Sequence, residues 1–141
     1  MSKYFSDKEF TFSQTAIDKG IKNEVPVYLK MQMLFTLAGM DRIREALGKP
    51  IKINSGYRCQ ALNEAVGGSP KSQHMVAEAV DFTCPAYGNP KDIGLFLSQK
   101  MGWLGIDQII MEGTWVHVSF TLTPRYEVLT RKGTEYVPGI V

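Results

Sequence analysis

Only two cysteines and two histidines occur among the 141 residues. Two thiols are too few for a disulfide scaffold, and Cys59 and Cys84 make no Cys-x-x-Cys zinc pattern. They read as small, partly buried residues, with one disulfide as the alternative. Long apolar runs are missing too. The best stretch, MQMLFTLAGM, stops at Asp41-Arg42, well short of the roughly eighteen residues a membrane span needs. The opening MSKYFSDKEFTFS is polar and lacks the apolar core of a secretory signal. Charge of one sign is scarce: the net charge is +2 and no basic stripe forms, which argues against a nucleic-acid partner. No repeat, low-complexity tract or linker divides the chain, so a single domain over residues 1–141 is expected.

What is present is strongly patterned. Ser6 and Glu9 have the spacing of a capping box, predicting a short helix that Gly20 ends. Leu29, Met33, Leu37, Met40, Ile43 and Leu47 span 18 residues in five steps, a mean of 3.6. That is the helical period, and Pro26 and Gly48 bracket the helix. Met31, Met33 and Met40 read as its core fillers. IKINS alternates as a half-buried strand does, and GYRCQALNEAVGGSP reads as a turn, a short helix and a glycine-rich loop. AEAVDF is a second strand. Asn89-Pro90 opens a helix expected to reach Gly102. DQIIM and WVHVSF are strands joined by a tight turn. In the tail only RYEVLT reads as a strand. Helices first and short strands later indicate an α+β domain: a small, mostly antiparallel sheet with helices packed on one face.

Strand parity then says where the polar side chains point. In WVHVSF, Val116, Val118 and Phe120 share one face and Trp115, His117 and Ser119 the other. The apolar set should meet the helices, turning His117 to the open side. If Gly113-Thr114 is a two-residue hairpin turn, Glu112 pairs with Trp115 and Ile110 with His117. Glu112 then lies on the face of His117, about 6–7 Å along the strand. His74 and Asp81 are seven positions apart, so one regular strand would oppose them. They can meet a common ion only if His74 sits on a loop before the strand that carries Asp81. Such an ion, held by two imidazoles and one carboxylate, would suit zinc with a position left for water. The metal would lower that water's pKa to about 7, and an unligated Glu112 could take its proton. These parts would make an amide or peptide hydrolase.

INSGYRCQALNEAVGGSPKSQHMVAEAVDF followed by WVHVSF resembles the zinc D-alanyl-D-alanine carboxypeptidases and L-alanyl-D-glutamate endopeptidases. That family shares its fold with the Hedgehog signalling domain and occurs as bacterial wall enzymes and phage lysins. The front segment YFSDKEFTFSQTA resembles its small phage-type members. The resemblance implies a Hedgehog/DD-peptidase-like fold and a zinc ion held by His74, Asp81 and His117. It implies Glu112 as general base and acid, and Arg58 on a substrate carboxylate or the oxyanion. Ser72 would line the same cleft, and Trp115 is either sheet packing or a substrate wall. The substrate implied is the peptidoglycan stem peptide, cleaved at D-Ala-D-Ala or at L-Ala-D-Glu. The expected protein is a monomer made in the cytoplasm that acts on the cell wall, as a released lysin or a virion component. The rival reading is a non-catalytic, zinc-containing wall-binding or virion module of the same fold. One departure stands out: the family pattern S-x-H-x-x-G-x-A-x-D has Ala77 at its glycine. Glu78, the other acid in that motif, has the wrong parity to join Asp81.

Overall fold

Capping and glycine positions set where the chain turns, and they place two layers against each other. The computed structural model describes residues 1–141. Helix α1 (Asp7–Thr11) starts at the expected capping box, with Ser6 and Glu9 exchanging hydrogen bonds. It does not run on to Gly20. Phe12 is extended, Ser13 caps a second helix, α2 (Gln14–Lys19), and Gly20 ends that one in the left-handed region. The single front helix expected from the sequence is therefore two, because a second serine offers its hydroxyl to Ala16 N–H and restarts the turn.

Helix α3 (Lys30–Leu47) follows a 3₁₀ turn at Val27–Leu29 and stops at Gly48, whose φ is +69°. Its stripe of Met33, Leu37, Met40, Ile43 and Leu47 is buried as expected. Met31 is not: it is 77% exposed, because it lies off that stripe, and its reading as a core filler was wrong. After β1 (Lys52–Ser55) come α4 (Gln60–Ala65), a 3₁₀ turn at Gln73–Val76 and β2 (Ala79–Thr83). Helix α5 (Pro90–Ser98) has the predicted Asn89 cap, made reciprocal by Asp92. It ends four residues before Gly102, and a separate turn of helix, α6 (Met101–Leu104), runs on to left-handed Gly105.

The sheet has six strands in the order β1-β2-β4-β3-β5-β6, completed by β3 (Gln108–Met111), β4 (Val116–Ser119), β5 (Glu127–Lys132) and β6 (Glu135–Pro138). Every neighbouring pair is antiparallel except β3 and β5, which run parallel, so the sheet is mixed. The tail beyond RYEVLT, which the sequence reading left without structure, is the strand β6. The overlooked signal was Gly133-Thr134, the same dipeptide that closes the β3–β4 hairpin.

Val80 and Phe82 of β2, Val116 and Val118 of β4, and Ile109 and Met111 of β3 join α3 and α5 side chains in one core of 23 residues. Their strand neighbours Asp81, Ile110 and His117 line a cleft on the opposite face. Cys59 and Cys84 are both free thiols, so the disulfide alternative falls away. No helix is long and apolar enough to cross a membrane.

Candidate metal centre

The β2–β4 register pairs Asp81 with His117, and the β3–β4 register pairs Ile110 with His117. The parity argument thus holds on all three strands. His74 lies on the 3₁₀ turn before β2, off the strand, where it can approach Asp81 despite their odd spacing. Ligand atoms of His74, Asp81 and His117 all lie within 4.8 Å of one another.

The Ser55–Arg58 segment holds His74 from behind. A register shift between Ile53 and Ser55 lets β1 bulge past Asp81. The Gly56 carbonyl then accepts the His74 Nδ1–H at 2.7 Å, and the Arg58 N–H donates to the His74 carbonyl. That hydrogen bond leaves Nε2 as the lone-pair nitrogen. Nε2 is buried with no hydrogen-bond partner, yet it faces Asp81 Oδ1 at 3.3 Å. Two acceptors at that distance repel unless a cation sits between them. His117 Nδ1 lies 2.9 Å from the same oxygen. Tetrahedral ligands about 2.0–2.1 Å from zinc stand roughly 3.3 Å apart, so this donor set fits the ion. Burial lowers the His74 pKa and keeps the ring neutral, as a metal ligand must be. Burial alone would raise the Asp81 pKa, but the two imidazoles outweigh it and hold the carboxyl well below its usual range.

Glycines in the recognised motifs have visible reasons. A Cβ at Gly56 would stand 2.7 Å from the Phe10 ring and still closer to the Phe10 carbonyl. A Cβ at Gly68 would meet Arg58 Nη1 at 2.8 Å and overlap the Asn63 amide. Ala77 has φ +61°, so the position does ask for glycine, and alanine occupies it under strain.

Glu112 follows β3 and donates its N–H to the Trp115 carbonyl across a turn where Gly113 has φ +100°. Its carboxylate is 12% exposed. Burial raises its pKa; His117, Arg131 and Tyr136 pull it back down, and Asp81 pushes it up. Arg58 reaches the same cleft with its Nε buried and unpartnered. Burial lowers the Arg58 pKa, while Asp81 and Glu112 oppose that. It makes no ion pair with any carboxylate. Ser72 caps the His74 turn through its hydroxyl and lines the cleft, as does Trp115. Glu78 takes a hydrogen bond from Gln73 and stays out of the cluster.

Several contributors were not foreseen. Asn23 donates to the Thr11 and Tyr57 carbonyls and accepts from Cys59 N–H, bracketing Arg58 on both sides. Buried Asp107 accepts from Ser119, Arg125 and Gln73, tying the His74 turn to the sheet. Arg131 and Tyr136 come from the missed hairpin. All these contacts link residues remote in sequence, and no local spacing signals them. The cleft they complete encloses about 1080 Å³.

Comparison with known proteins assigns most of the chain to one family. Residues 3–119 match the family described as Peptidase M15. The zinc D-Ala-D-Ala carboxypeptidase of Streptomyces albus G is 38% identical over 56 residues. That alignment covers 39% of this chain and 22% of the relative's length.

Proposed function

We propose that this chain, which belongs to the Peptidase M15 family, is a zinc-dependent peptidase acting on the stem peptide of bacterial peptidoglycan. His74, Asp81 and His117 would hold the zinc. The observation that carries the reading is the unpaired His74 Nε2 facing Asp81 Oδ1 beside a second imidazole. Zinc, when bound, supplies a Lewis acid and brings the pKa of a coordinated water to about 7.

The chain's own groups do the rest. Glu112 accepts the proton of the attacking water on a carboxylate oxygen and returns it to the departing amine nitrogen. Its partial burial suits the first half of that task, because a raised pKa makes it a stronger base. Arg58 offers a fixed fork of donors to a substrate carboxylate or to negative charge developing on the carbonyl oxygen. Its unpartnered Nε supports that use. Trp115 and Ser72 would flank the peptide.

Two bonds are candidates, D-Ala-D-Ala and L-Ala-D-Glu. The Streptomyces relative favours the first and the small phage-type resemblance the second. The protein would act as a monomer on the wall, as a lysin or a virion component. A non-catalytic zinc module of the same fold would have no use for an unligated acid at Glu112.

The test is zinc content and hydrolysis of a defined pentapeptide stem, followed by mass spectrometry, for wild type and Glu112→Ala. The expected result is full zinc in both and a rate roughly 10²–10⁴-fold lower in the variant. Equal rates would remove Glu112 from the role, and the product masses identify the bond.

A further inference from the structure

The C-terminal hairpin β5–β6 begins beyond residue 119, where the family match ends, and it reaches the cleft. The parallel register sets Met111 beside Thr130, so the next residues along, Glu112 and Arg131, are neighbours. Across the hairpin, Arg131 pairs with Tyr136. Three side chains from three chain segments therefore meet on the cleft side of the sheet. Arg131 Nη1 lies 3.8 Å from Glu112 Oε2, and its Nε donates to the Gly133 carbonyl at 3.0 Å. That second bond ties the guanidinium to its own turn.

We propose that Arg131 and Tyr136 are positioning residues that hold the Glu112 carboxylate in its place for catalysis. The proposal rests on the reading of Glu112 as the proton-transferring group. An exposed ion pair would carry little weight. Here the carboxylate partner is 12% exposed and the guanidinium partner 43%, so the pair is half sheltered from water rather than fully solvated. Five groups face Glu112: Asp81 from β2, His117 from β4, Arg58 from the segment after β1, and Arg131 and Tyr136 from the hairpin. Asp81, His117 and Arg58 already have work in the centre. The hairpin pair has none except Glu112. Burial raises the Glu112 pKa, and Arg131 and the Tyr136 hydroxyl pull it back down. The C-terminal residues thereby gain a function that the core of the fold does not supply.

The experiment compares wild type, Arg131→Ala, Arg131→Lys and Tyr136→Phe as full-length, zinc-loaded proteins. Carbon-13 NMR follows the Glu112 carboxyl through a pH titration, assigned by its loss in Glu112→Gln. In parallel, kcat and KM are measured against pH on the stem peptide. Arg131→Ala should move the Glu112 titration upward, and the acidic limb of kcat/KM with it. It should lower kcat about tenfold or more while KM and zinc content hold. Tyr136→Phe should do the same to a smaller degree, and Arg131→Lys should restore most of the wild-type behaviour. An unchanged kcat in Arg131→Ala would overturn the proposal, as would a change confined to KM. If wild type hydrolyses no stem peptide while the NMR shift still appears, the catalytic reading fails and the hairpin's hold on Glu112 survives.

Discussion

His74 Nε2 and Asp81 Oδ1 stand 3.3 Å apart with the imidazole proton committed to the Gly56 carbonyl on the other side of the ring. Neither atom can donate to the other, so the pair is built to share a cation. His117, from the neighbouring strand, completes the set.

Wild-type protein should therefore hold one zinc per chain, and His74→Ala should hold close to none. Because an ion that binds only the folded state adds stability, zinc should raise the wild-type Tm. A hundredfold excess over Kd corresponds to about 2.7 kcal/mol. Elemental analysis after dialysis and calorimetry with and without chelator check both points. A zinc-dependent Tm in His74→Ala would contradict the assignment.

Gly56→Ala should cost about 1–3 kcal/mol, since the new methyl meets Phe10 backbone that cannot swing away. Any shift of the Gly56 carbonyl also loosens the orientation of His74. Zinc affinity should fall about 10–100-fold, as is usual when the hydrogen-bond partner of a ligating histidine is lost. Denaturant titration and competition with a chromophoric chelator separate the two effects.

Arg58→Ala should keep its zinc and lose roughly ten- to a hundredfold in kcat/KM, the weight of a charged hydrogen bond. Arg58→Lys should recover little, because a point charge does not reproduce the fork. Steady-state kinetics on the stem peptide with parallel metal analysis would show it. Full recovery by lysine would reduce the role of Arg58 to bulk charge.

Asp107 should make stability acid-sensitive. Burial would raise its pKa, but Arg125 and the Ser119 hydroxyl override that and hold it well below the usual carboxylate range. A depressed folded pKa contributes stability that is present above the unfolded value, near 3.9, and is lost as pH falls toward the folded one. Wild type should thus lose stability steeply below about pH 4, and Asp107→Asn should be weaker at neutral pH and flatter in acid. Urea midpoints between pH 2 and 7 give the comparison.

Ala77→Gly should change stability little. Relief of a left-handed alanine, about 1–2 kcal/mol, is set against loss of a buried methyl, about 0.8, and the added freedom of glycine, about 0.5–1. Ala77→Val should lose clearly more, since a β-branched residue at φ +61° is strained further. Thermal midpoints of the two variants decide whether the backbone or the methyl governs this site.

Much of the centre could be read from the chain because it depends on short-range geometry. His117 and Glu112 share a face through the two-residue turn at Gly113-Thr114, and alternation along four residues is enough to say so. The α3 stripe is legible for the same reason, its period being set by the backbone. Met31 misled, as residue type without position does not determine burial. The hairpin at Gly133-Thr134 was readable by the rule already applied at Gly113-Thr114 and went unused.

The sequence by itself determined most of the elements, the faces of β2 and β4, and three candidate ligands, His74, Asp81 and His117, whose atoms the fold brings within 4.8 Å of one another. Only the folded chain decided that Gly56 fixes the His74 tautomer, that Asp107 anchors the His74 turn, and that Arg131 stands beside Glu112. Local patterns follow from backbone periodicity, which any few residues reveal. Contacts such as Glu112 with Arg131 arise from a strand crossing to lie parallel to β3, and that choice is made by packing over the whole sheet.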